Sequence, residues 1–222
     1  MKGANCSIEG TANKLTAPAP LTSNIRVPWK SMDFFMRDTT RNRIWFSIAL
    51  AMAIWTGHAA GGNTIMNLSS SAFTQFADIP SQYTCDGGDQ SPPLAWSGVP
   101  ADAKSLVLIV DDPDAPDPAA PKMTWVHWVL YNIAPLSNGI GAGRSGIPEL
   151  PAGTLEGLND WKQTGYRGPC PPIGRHRYFH KLYALDVVLP TLRLATKATV
   201  ERAMQGHIMA QCELVGYYQR KK

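Results

Sequence analysis

The sequence of 222 residues has little charge and few cysteines: charged residues make up 17% of it, and it contains four cysteines. So little charge indicates few solvent-facing helices. The sequence also lacks an internal repeat, a low-complexity tract and any sign of a second folded domain. What it has in plenty is glycine (19) and proline (18), which favour turns and short strands over a helical bundle. The length is enough for one domain with a core of its own.

An excess of positive charge is also missing from most of the chain. The formal net charge is +4, but residues 1–59 contain seven basic and three acidic side chains, which leaves fourteen of each sign from Ala60 on. A neutral domain without a basic run has no electrostatic footprint for a polyphosphate backbone. Nucleic acid is therefore excluded as the expected partner.

Charge is absent altogether from residues 44–55 (IWFSIALAMAIW). Three arginines precede this run, and the small residues Gly57 and Ala59 follow it. A basic segment, a short apolar run and a small-x-small exit are typical of a secretory signal peptide. A membrane anchor would need about 20 apolar residues. The pattern therefore predicts a signal peptide over 36–60, a mature form without a transmembrane span, and a periplasmic or secreted protein.

The residues on either side of this segment are interpreted differently. Residues 1–35 fit no targeting pattern, and their polar, proline-containing sequence predicts disorder. The alternative is that translation starts at Met32 or Met36, so that most of this segment is not part of the protein. Residues 61–222 form the predicted single domain. Apolar runs in it predict four strands and one helix. The strands are predicted over 105–110, 125–133, 178–189 and 207–218, and the helix over 197–205, ending before Gly206.

Two polar stretches lie where predicted strands meet rigid loops. Residues 111–118 (DDPDAPDP) follow the first strand and lead towards His127, and residues 165–178 (GYRGPCPPIGRHRY) open onto the third. Proline stiffens a loop and glycine lets a ligand approach its backbone, so such loops can hold N–H groups around an anion. Each residue alone also fits a structural role: aspartate before proline is common in turns, and histidine in an apolar strand is commonly a core residue.

Taken together, the motifs resemble a known family. Residues 112–116 (DPDAP), 127–128 (HW), 168–172 (GPCPP) and 176–178 (HRY) are similar to the two signature regions of the phosphatidylethanolamine-binding proteins. The similarity is greater to the bacterial branch that is named for its likeness to kinase inhibitors. Further short matches run in order from about Ala72 to Arg220. Two separated motifs in the correct order are a specific signal.

The resemblance implies a mostly β fold, a sandwich of antiparallel sheets with a few peripheral helices. It also implies one pocket for phosphate-like or carboxylate-like anions, including phospholipid head groups. His127 would donate a hydrogen bond to the anion, and Tyr178 would add a hydroxyl donor. Asp112 would orient His127 and raise its pKa, accept a proton from a monoprotonated phosphate, or pair with an ammonium group. The candidate ligand-binding residues are Asp112, Asp114, His127, Gly168, Cys170, Pro172, His176 and Tyr178.

One departure concerns cysteine, because Cys170 stands where the eukaryotic members have glycine. Removal of the signal peptide would leave Cys85, Cys170 and Cys212, an odd number in an oxidising compartment. The resemblance places the loops of Cys85 and Cys170 beside the pocket. We therefore expect a disulfide between these two residues, with Cys212 reduced inside a strand.

The sequence thus predicts an exported, non-catalytic binding protein without cofactor or metal. One alternative is an inhibitor or interaction module for an extracytoplasmic enzyme. Another is a metal-dependent hydrolase using Asp112, Asp114, His127 and His176. Against hydrolysis, the sequence has no His-x-x-x-His spacing, and Ser145 lacks the strand–turn–helix setting of a hydrolase nucleophile. The natural ligand, the protein partner and the oligomeric state are not predicted.

Overall fold

Short and long β-strands make up most of the regular structure. The computed structural model describes residues 6–7, 65–146 and 150–221. A 3₁₀ helix at Ser81–Tyr83 and one α-helix, α1 at Lys197–Met204, accompany the strands. The strands are β1 Cys6–Ser7, β2 Asn67–Ser69, β3 Leu94–Ser97, β4 Ser105–Ala115, β5 Met123–Ile133, β6 Gly139–Ile140, β7 Leu155–Glu156, β8 His176–Leu185 and β9 Ile208–Tyr218.

The strands form two antiparallel sheets. The larger has six strands in the order β1-β9-β8-β4-β5-β7, and the smaller has three in the order β2-β3-β6. Strand β4 is central and pairs with β8 on one side and β5 on the other. Its run Leu106–Val110 is buried throughout, as expected for a strand covered on both faces. The predicted mostly β sandwich is confirmed.

The core lies on both faces of the larger sheet, because side chains alternate along a strand. Leu108 and Val110 of β4 face the smaller sheet and pack in one cluster with its Trp96. Ile109 faces the other way, into a second cluster with Val200 of α1. The larger sheet is therefore the middle layer, between the smaller sheet and the helix.

Helix α1 begins and ends where the sequence predicts, within one residue. Thr196 caps its first turn, since its side chain accepts a hydrogen bond from the backbone N–H of Thr199. The Thr199 hydroxyl in turn accepts a hydrogen bond from the backbone N–H of Thr196. The helix ends at Met204, and Gly206 has φ +79°, a left-handed conformation that favours glycine.

Strands β5 and β8 each begin two residues earlier than predicted and β9 begins one residue later, and two strand ends differ by more. Strand β4 continues through Ala115, so the first half of the expected loop 111–118 is strand, interrupted by irregular pairing after Val110 and after Asp112. Strand β8 ends at Leu185, not at residue 189. The next residue, Asp186, instead makes backbone and side-chain hydrogen bonds to His207, which directly precedes β9. The strands of the smaller sheet, two to four residues long, were not predicted because they are too short for a periodic signal.

The amino-terminal region enters the described structure only at β1, where Cys6 and Ser7 pair with Cys212 and Gln211 of β9. The remainder of 1–35 and the whole predicted signal peptide, 36–60, lie outside the described residues. Within the described ranges, no helix is long and apolar enough to cross a membrane.

Candidate functional site

A pocket of about 440 Å³ opens where β4 ends, β5 begins and β8 begins. These three strands are neighbours in the larger sheet, so their ends bring residues far apart in sequence to one place. The lining residues are Asp112, Ala115, Pro116, Lys122, Met123, Trp125, His127, Trp161, Cys170, Pro171, Pro172, His176 and Tyr178.

Asp112 and His176 form a buried pair in the pocket wall. The Asp112 Oδ2 lies 2.7 Å from Nδ1 of His176, and Nε2 of His176 lies 2.9 Å from the carbonyl oxygen of Ile173. Asp112 Oδ1 accepts a further bond of 2.8 Å from the backbone N–H of Asp114. A ring nitrogen donates only when it bears hydrogen, so the doubly protonated imidazolium satisfies both contacts of His176. The pair then contributes one negative and one positive charge.

His127 is held differently and is neutral. Its Nδ1 lies 2.6 Å from the carbonyl oxygen of Arg167, so this nitrogen bears the hydrogen and donates. Burial lowers the pKa of His127, against the smaller raising effect of that carbonyl. Nε2 consequently carries a lone pair, and it is the atom left for a ligand because the ring lines the pocket. This differs from the expected donation by His127, since the donor nitrogen is already taken by the backbone.

Tyr178 supplies a hydroxyl that is not satisfied by the protein. The residue is 1% exposed, and among the described residues its hydroxyl oxygen has no hydrogen-bond partner. Burial, followed by the charge of Asp112, raises the pKa of Tyr178, so the hydroxyl keeps its hydrogen. The ring meets His127 edge to face at a centroid distance of 5.2 Å. Tyr178 therefore holds an enclosed donor next to the pocket, with the Asp112 carboxylate as its nearest acceptor and no hydrogen bond of regular geometry.

Aromatic and apolar side chains form the outer walls. The Trp161 ring lies edge to face against both His127, at 5.2 Å, and Trp125, at 5.4 Å between centroids. Met123 is half exposed at the same opening. Lys122 also lines the pocket and makes no ion pair with any described residue. The opening therefore combines apolar surface with one available positive charge.

The expected disulfide joins Cys85 to Cys170, with their Cα atoms 5.4 Å apart. Cys170 lies in the pocket wall, so the cross-link ties that wall to the segment after the 3₁₀ helix. Cys212 is buried in β9 and is not part of the disulfide. The predicted pairing is confirmed.

A family model described as phosphatidylethanolamine-binding protein matches residues 69–219, which contain the whole pocket. The chain belongs to the phosphatidylethanolamine-binding protein family. The family prediction is thereby confirmed.

The chain is similar over about 70% of its length to relatives of this family. It is 51% identical over 155 residues to a UPF0098 protein of Methanothermobacter thermautotrophicus, covering 70% of this chain and 99% of the relative. A phosphatidylethanolamine-binding protein homologue from Chlamydia trachomatis has a solved structure with TM-score 0.64 and 43% identity, covering 70% and 98% of the two chains. The structure of Escherichia coli YbcL, described as a member of the mammalian family, has TM-score 0.64 and 30% identity, covering 70% and 99%.

Six of the eight candidate residues line the pocket and two do not. The six are Asp112, His127, Cys170, Pro172, His176 and Tyr178. Asp114 is not in the wall, because both its oxygens are held by the Arg177 guanidinium at 2.6 and 2.9 Å. These bonds hold the pKa of the Asp114 carboxyl below its usual value.

Gly168 also lies behind the wall. Its N–H donates to Asp89 Oδ1 at 2.6 Å, and a Cβ added at this position would lie 2.5 Å from the carbonyl oxygen of Tyr83. Glycine is therefore required here for close packing of two loops, one of which carries Cys85. Asp114 and Gly168 support the pocket without reaching a ligand.

Four lining residues at the opening were not predicted: Lys122, Met123, Trp125 and Trp161. Trp125 was accessible to sequence reasoning, since it precedes His127 by two residues on one strand and so shares its face. Trp161 directly follows the matched segment 157–160 (GLND). Nothing in the sequence marks Lys122 and Met123, which reach the opening because β5 starts there.

No group of three or more His, Cys, Asp or Glu side chains is arranged to hold a metal ion in the part of the chain that the structure describes. Asp112 and His176 are paired with each other, and Asp114 with Arg177. Absence of catalysis stays a prediction.

Proposed function

We propose that the chain is an exported, non-catalytic binding protein for a small organic anion, with a phosphate monoester in its singly protonated form as the preferred ligand. A free phospholipid head group such as phosphoethanolamine is one source of a phosphate monoester, whereas the phosphate of an intact phospholipid is a diester that lacks this hydrogen. Membership of a family of binding proteins supports the general role. The pocket chemistry supports the specific ligand, as follows.

The observation that carries the proposal is the Tyr178 hydroxyl. A buried hydroxyl without a hydrogen bond is costly, and buried polar groups are nearly always paired. The Tyr178 hydroxyl has no protein partner among the described residues, and it belongs to a residue that lines an open pocket. The hydroxyl oxygen is enclosed by protein atoms, so an oxygen atom of a ligand would accept its hydrogen after a small displacement of the neighbouring side chains. The site thus favours a ligand with an oxyanion.

Charge and proton count narrow the ligand further. The negative charge of Asp112 and the positive charge of His176 cancel, so the net charge of the pocket lining is the single positive charge of Lys122. A ligand with a single negative charge matches this lining. The neutral His127 presents an acceptor at Nε2, so it matches a ligand that carries a hydrogen. A singly protonated phosphate monoester has both the single charge and the hydrogen, whereas a carboxylate has the charge alone.

Calorimetric titration with inorganic phosphate at pH 5.5 tests the proposal. We expect Tyr178→Phe to weaken binding roughly three- to tenfold, since one net hydrogen bond is worth about 0.5–1.5 kcal/mol. The matched control is Tyr166→Phe, because the Tyr166 hydroxyl is also buried but donates to the Tyr83 carbonyl at 2.9 Å. That variant should lose stability and keep its phosphate affinity. Absence of phosphate binding to the unaltered protein would rule the proposal out.

A titration with methyl phosphate, a phosphate monoester, at pH 5.5 and at pH 8 tests the role of the ligand's hydrogen, because inorganic phosphate keeps a hydrogen over this whole range. The second ionisation of a phosphate monoester lies near pH 6, so the ligand loses the hydrogen that His127 would accept. Affinity should therefore fall as pH rises from about 5.5 to 8. Acetate, which has no such hydrogen over this range, should bind more weakly than methyl phosphate at pH 5.5. An affinity for methyl phosphate that rises with pH would contradict the assigned role of His127.

Export is proposed on the pattern of residues 36–60. Three arginines, an uncharged apolar run and small residues at 57 and 59 support cleavage near Ala60. Amino-terminal sequencing of the protein purified from its native host measures this directly. We expect a mature start near Ala60 in the extracytoplasmic fraction. A cytoplasmic protein with its amino terminus upstream of residue 44 would contradict export.

A further inference from the structure

We propose that Trp161 is a specificity-determining residue that selects phosphate monoesters bearing a flat, apolar organic group, such as an aryl group, over inorganic phosphate. The inference rests on the proposed function, because it assigns a subsite for the part of the ligand that extends outward from the anion. It concerns the outer wall of the pocket, whereas the anion itself is assigned to Tyr178 and His127.

The loop that carries Trp161 is tied firmly to the sheet. The Asp160 carboxylate accepts a bond of 2.8 Å from the Val126 N–H, and the Asp160 N–H donates to the Val126 carbonyl at 3.0 Å. Asn159 closes the loop on itself through its backbone N–H, which donates to the Gln163 carbonyl, and through Nδ2, which donates to the Gly165 carbonyl at 3.0 Å. The loop therefore holds the Trp161 side chain in a defined place.

Despite this anchoring, Trp161 is not a core residue. Trp161 is 38% exposed. The plane of its ring is inclined by 68° to the His127 ring and by 87° to the Trp125 ring. Because these contacts are edge to face, they do not cover Trp161 as a stacked partner would. A fixed indole that is partly exposed beside a pocket offers apolar area that a ligand can cover.

The position of this area decides what kind of ligand covers it. The His127 ring lies next to both the Tyr178 ring and the Trp161 ring, at a centroid distance of 5.2 Å from each. An anion bound at Tyr178 and His127 would thus direct its substituent towards Trp161, Trp125 and Met123. Inorganic phosphate has no atoms to place there, and an aryl ester has a ring whose faces and edges suit aromatic neighbours.

A cationic substituent is the other group that aromatic walls favour. Here Lys122 lines the same opening without an ion pair to any described residue, so an ammonium group would meet a like charge. A neutral ring meets no such repulsion. The chemistry of the opening therefore favours an apolar planar group over a quaternary ammonium.

The test compares phenyl phosphate, phosphocholine and inorganic phosphate by calorimetric titration of the full mature chain. For the unaltered protein we expect phenyl phosphate to bind at least tenfold more tightly than inorganic phosphate. Trp161→Ala should reduce this preference to less than threefold. Trp161→Phe should retain part of the preference. The matched control is Phe76→Ala, which removes an exposed aromatic ring that lies against Tyr217 and does not line the pocket.

The outcomes separate the two proposals. If inorganic phosphate does not bind, the proposed function fails. If it binds but phenyl phosphate binds no more tightly, or if both Trp161 variants keep the full preference, the assignment of Trp161 fails. A Trp161-dependent preference for phosphocholine over phenyl phosphate would also overturn it. A thermal melt of each variant, with Trp161→Phe as the milder change, separates loss of the wall from loss of the fold.

Discussion

His127, His176 and His180 are all buried, and their hydrogen-bond partners determine which of them carries a charge. His176 faces a carboxylate and a carbonyl oxygen and is satisfied as a cation. His127 faces one carbonyl oxygen and is neutral. His180 has no hydrogen-bond partner among the described residues at either ring nitrogen. Of the three, His176 is therefore the cation, and His127 and His180 are neutral.

His180 makes the stability of the protein sensitive to acid. Burial lowers the pKa of His180 to about 4, whereas a histidine in the unfolded chain titrates near 6.5. Its contribution is therefore fully present above pH 6.5 and is lost as pH falls towards 4, because the unfolded chain binds the proton first. The loss from this residue should be about 2–3 kcal/mol at pH 4.5.

Urea denaturation at pH 7 and pH 4.5 measures this effect. His180→Leu keeps a side chain of similar size next to Phe73 and should lose about 2–3 kcal/mol less than the unaltered protein between the two pH values. Other acid effects, including that of His127, are common to both proteins and cancel in the comparison. Equal losses in the two proteins would contradict an unpartnered His180.

The residue scale also shows the limit of sequence reasoning. The sequence indicated that Asp112 and Asp114 lie near the site, because both belong to one motif. It could not show that Arg177 takes both oxygens of Asp114, since that bond spans 63 positions and depends on the pairing of β4 with β8. Nor could it show that the Arg167 carbonyl fixes the tautomer of His127.

At the scale of the element, β4 places two neighbouring carboxylates on opposite faces of the sheet, one at the ligand pocket and one at the helix. Asp112 points into the pocket, while Asp111 faces the opposite side of the sheet and is fully buried. There its oxygens bind Lys181 of β8 and Lys197 of α1, each at 2.8 Å. Asp111 thus joins the helix to the sheet, and one strand supports the helix and the ligand site on opposite faces.

Asp111→Asn should therefore lower the free energy of unfolding by about 2 kcal/mol, the typical value of hydrogen bonds to charged groups. The two lysines are partly exposed and can be rehydrated, which limits the loss. Phosphate affinity should not change, because the pocket lies on the other face. Chemical denaturation and calorimetry on one preparation measure both quantities.

The control is Asp78→Asn, which breaks the ion pair with Arg175 at 2.6 Å on the exposed surface. An exposed pair contributes little, so less than about 0.5 kcal/mol should be lost. If Asp111→Asn is as mild as this control, Asp111 does not hold the helix to the sheet.

Sequence patterns predicted the long elements well and their ends less well. The apolar run of β4 predicts a strand, but polar residues 111–115 resemble a loop, because aspartate and proline are typical of turns. They remain in the strand since their charges are matched by Lys181 and Arg177 of the neighbouring β8. Such matching depends on register between strands, which a single sequence does not encode locally.

At the scale of the whole molecule, the Cys85–Cys170 disulfide spans 85 positions and joins the pocket wall to a distant loop. Closing a loop of this length should stabilise the protein by about 3–5 kcal/mol. The double variant Cys85→Ser/Cys170→Ser should lose this amount in chemical denaturation. It should also bind phosphate more weakly, because Cys170 lines the pocket.

Treatment with a thiol reductant is the corresponding control. It should destabilise the unaltered protein and leave the double variant unaffected, since Cys212 is outside the disulfide. Peptide mapping without reduction checks the bond itself. Alkylation of both Cys85 and Cys170 in the purified protein would contradict it.

The pocket is built at the ends of β4, β5 and β8, three adjacent strands in the middle of the larger sheet. A ligand held there contacts elements that separate only when the domain unfolds. Occupancy is thus thermodynamically linked to global unfolding, and a ligand at 100 times its dissociation constant adds about 2.7 kcal/mol to the stability of the whole domain. Natural ligands could therefore be sought among unlabelled metabolites by the rise in melting temperature alone.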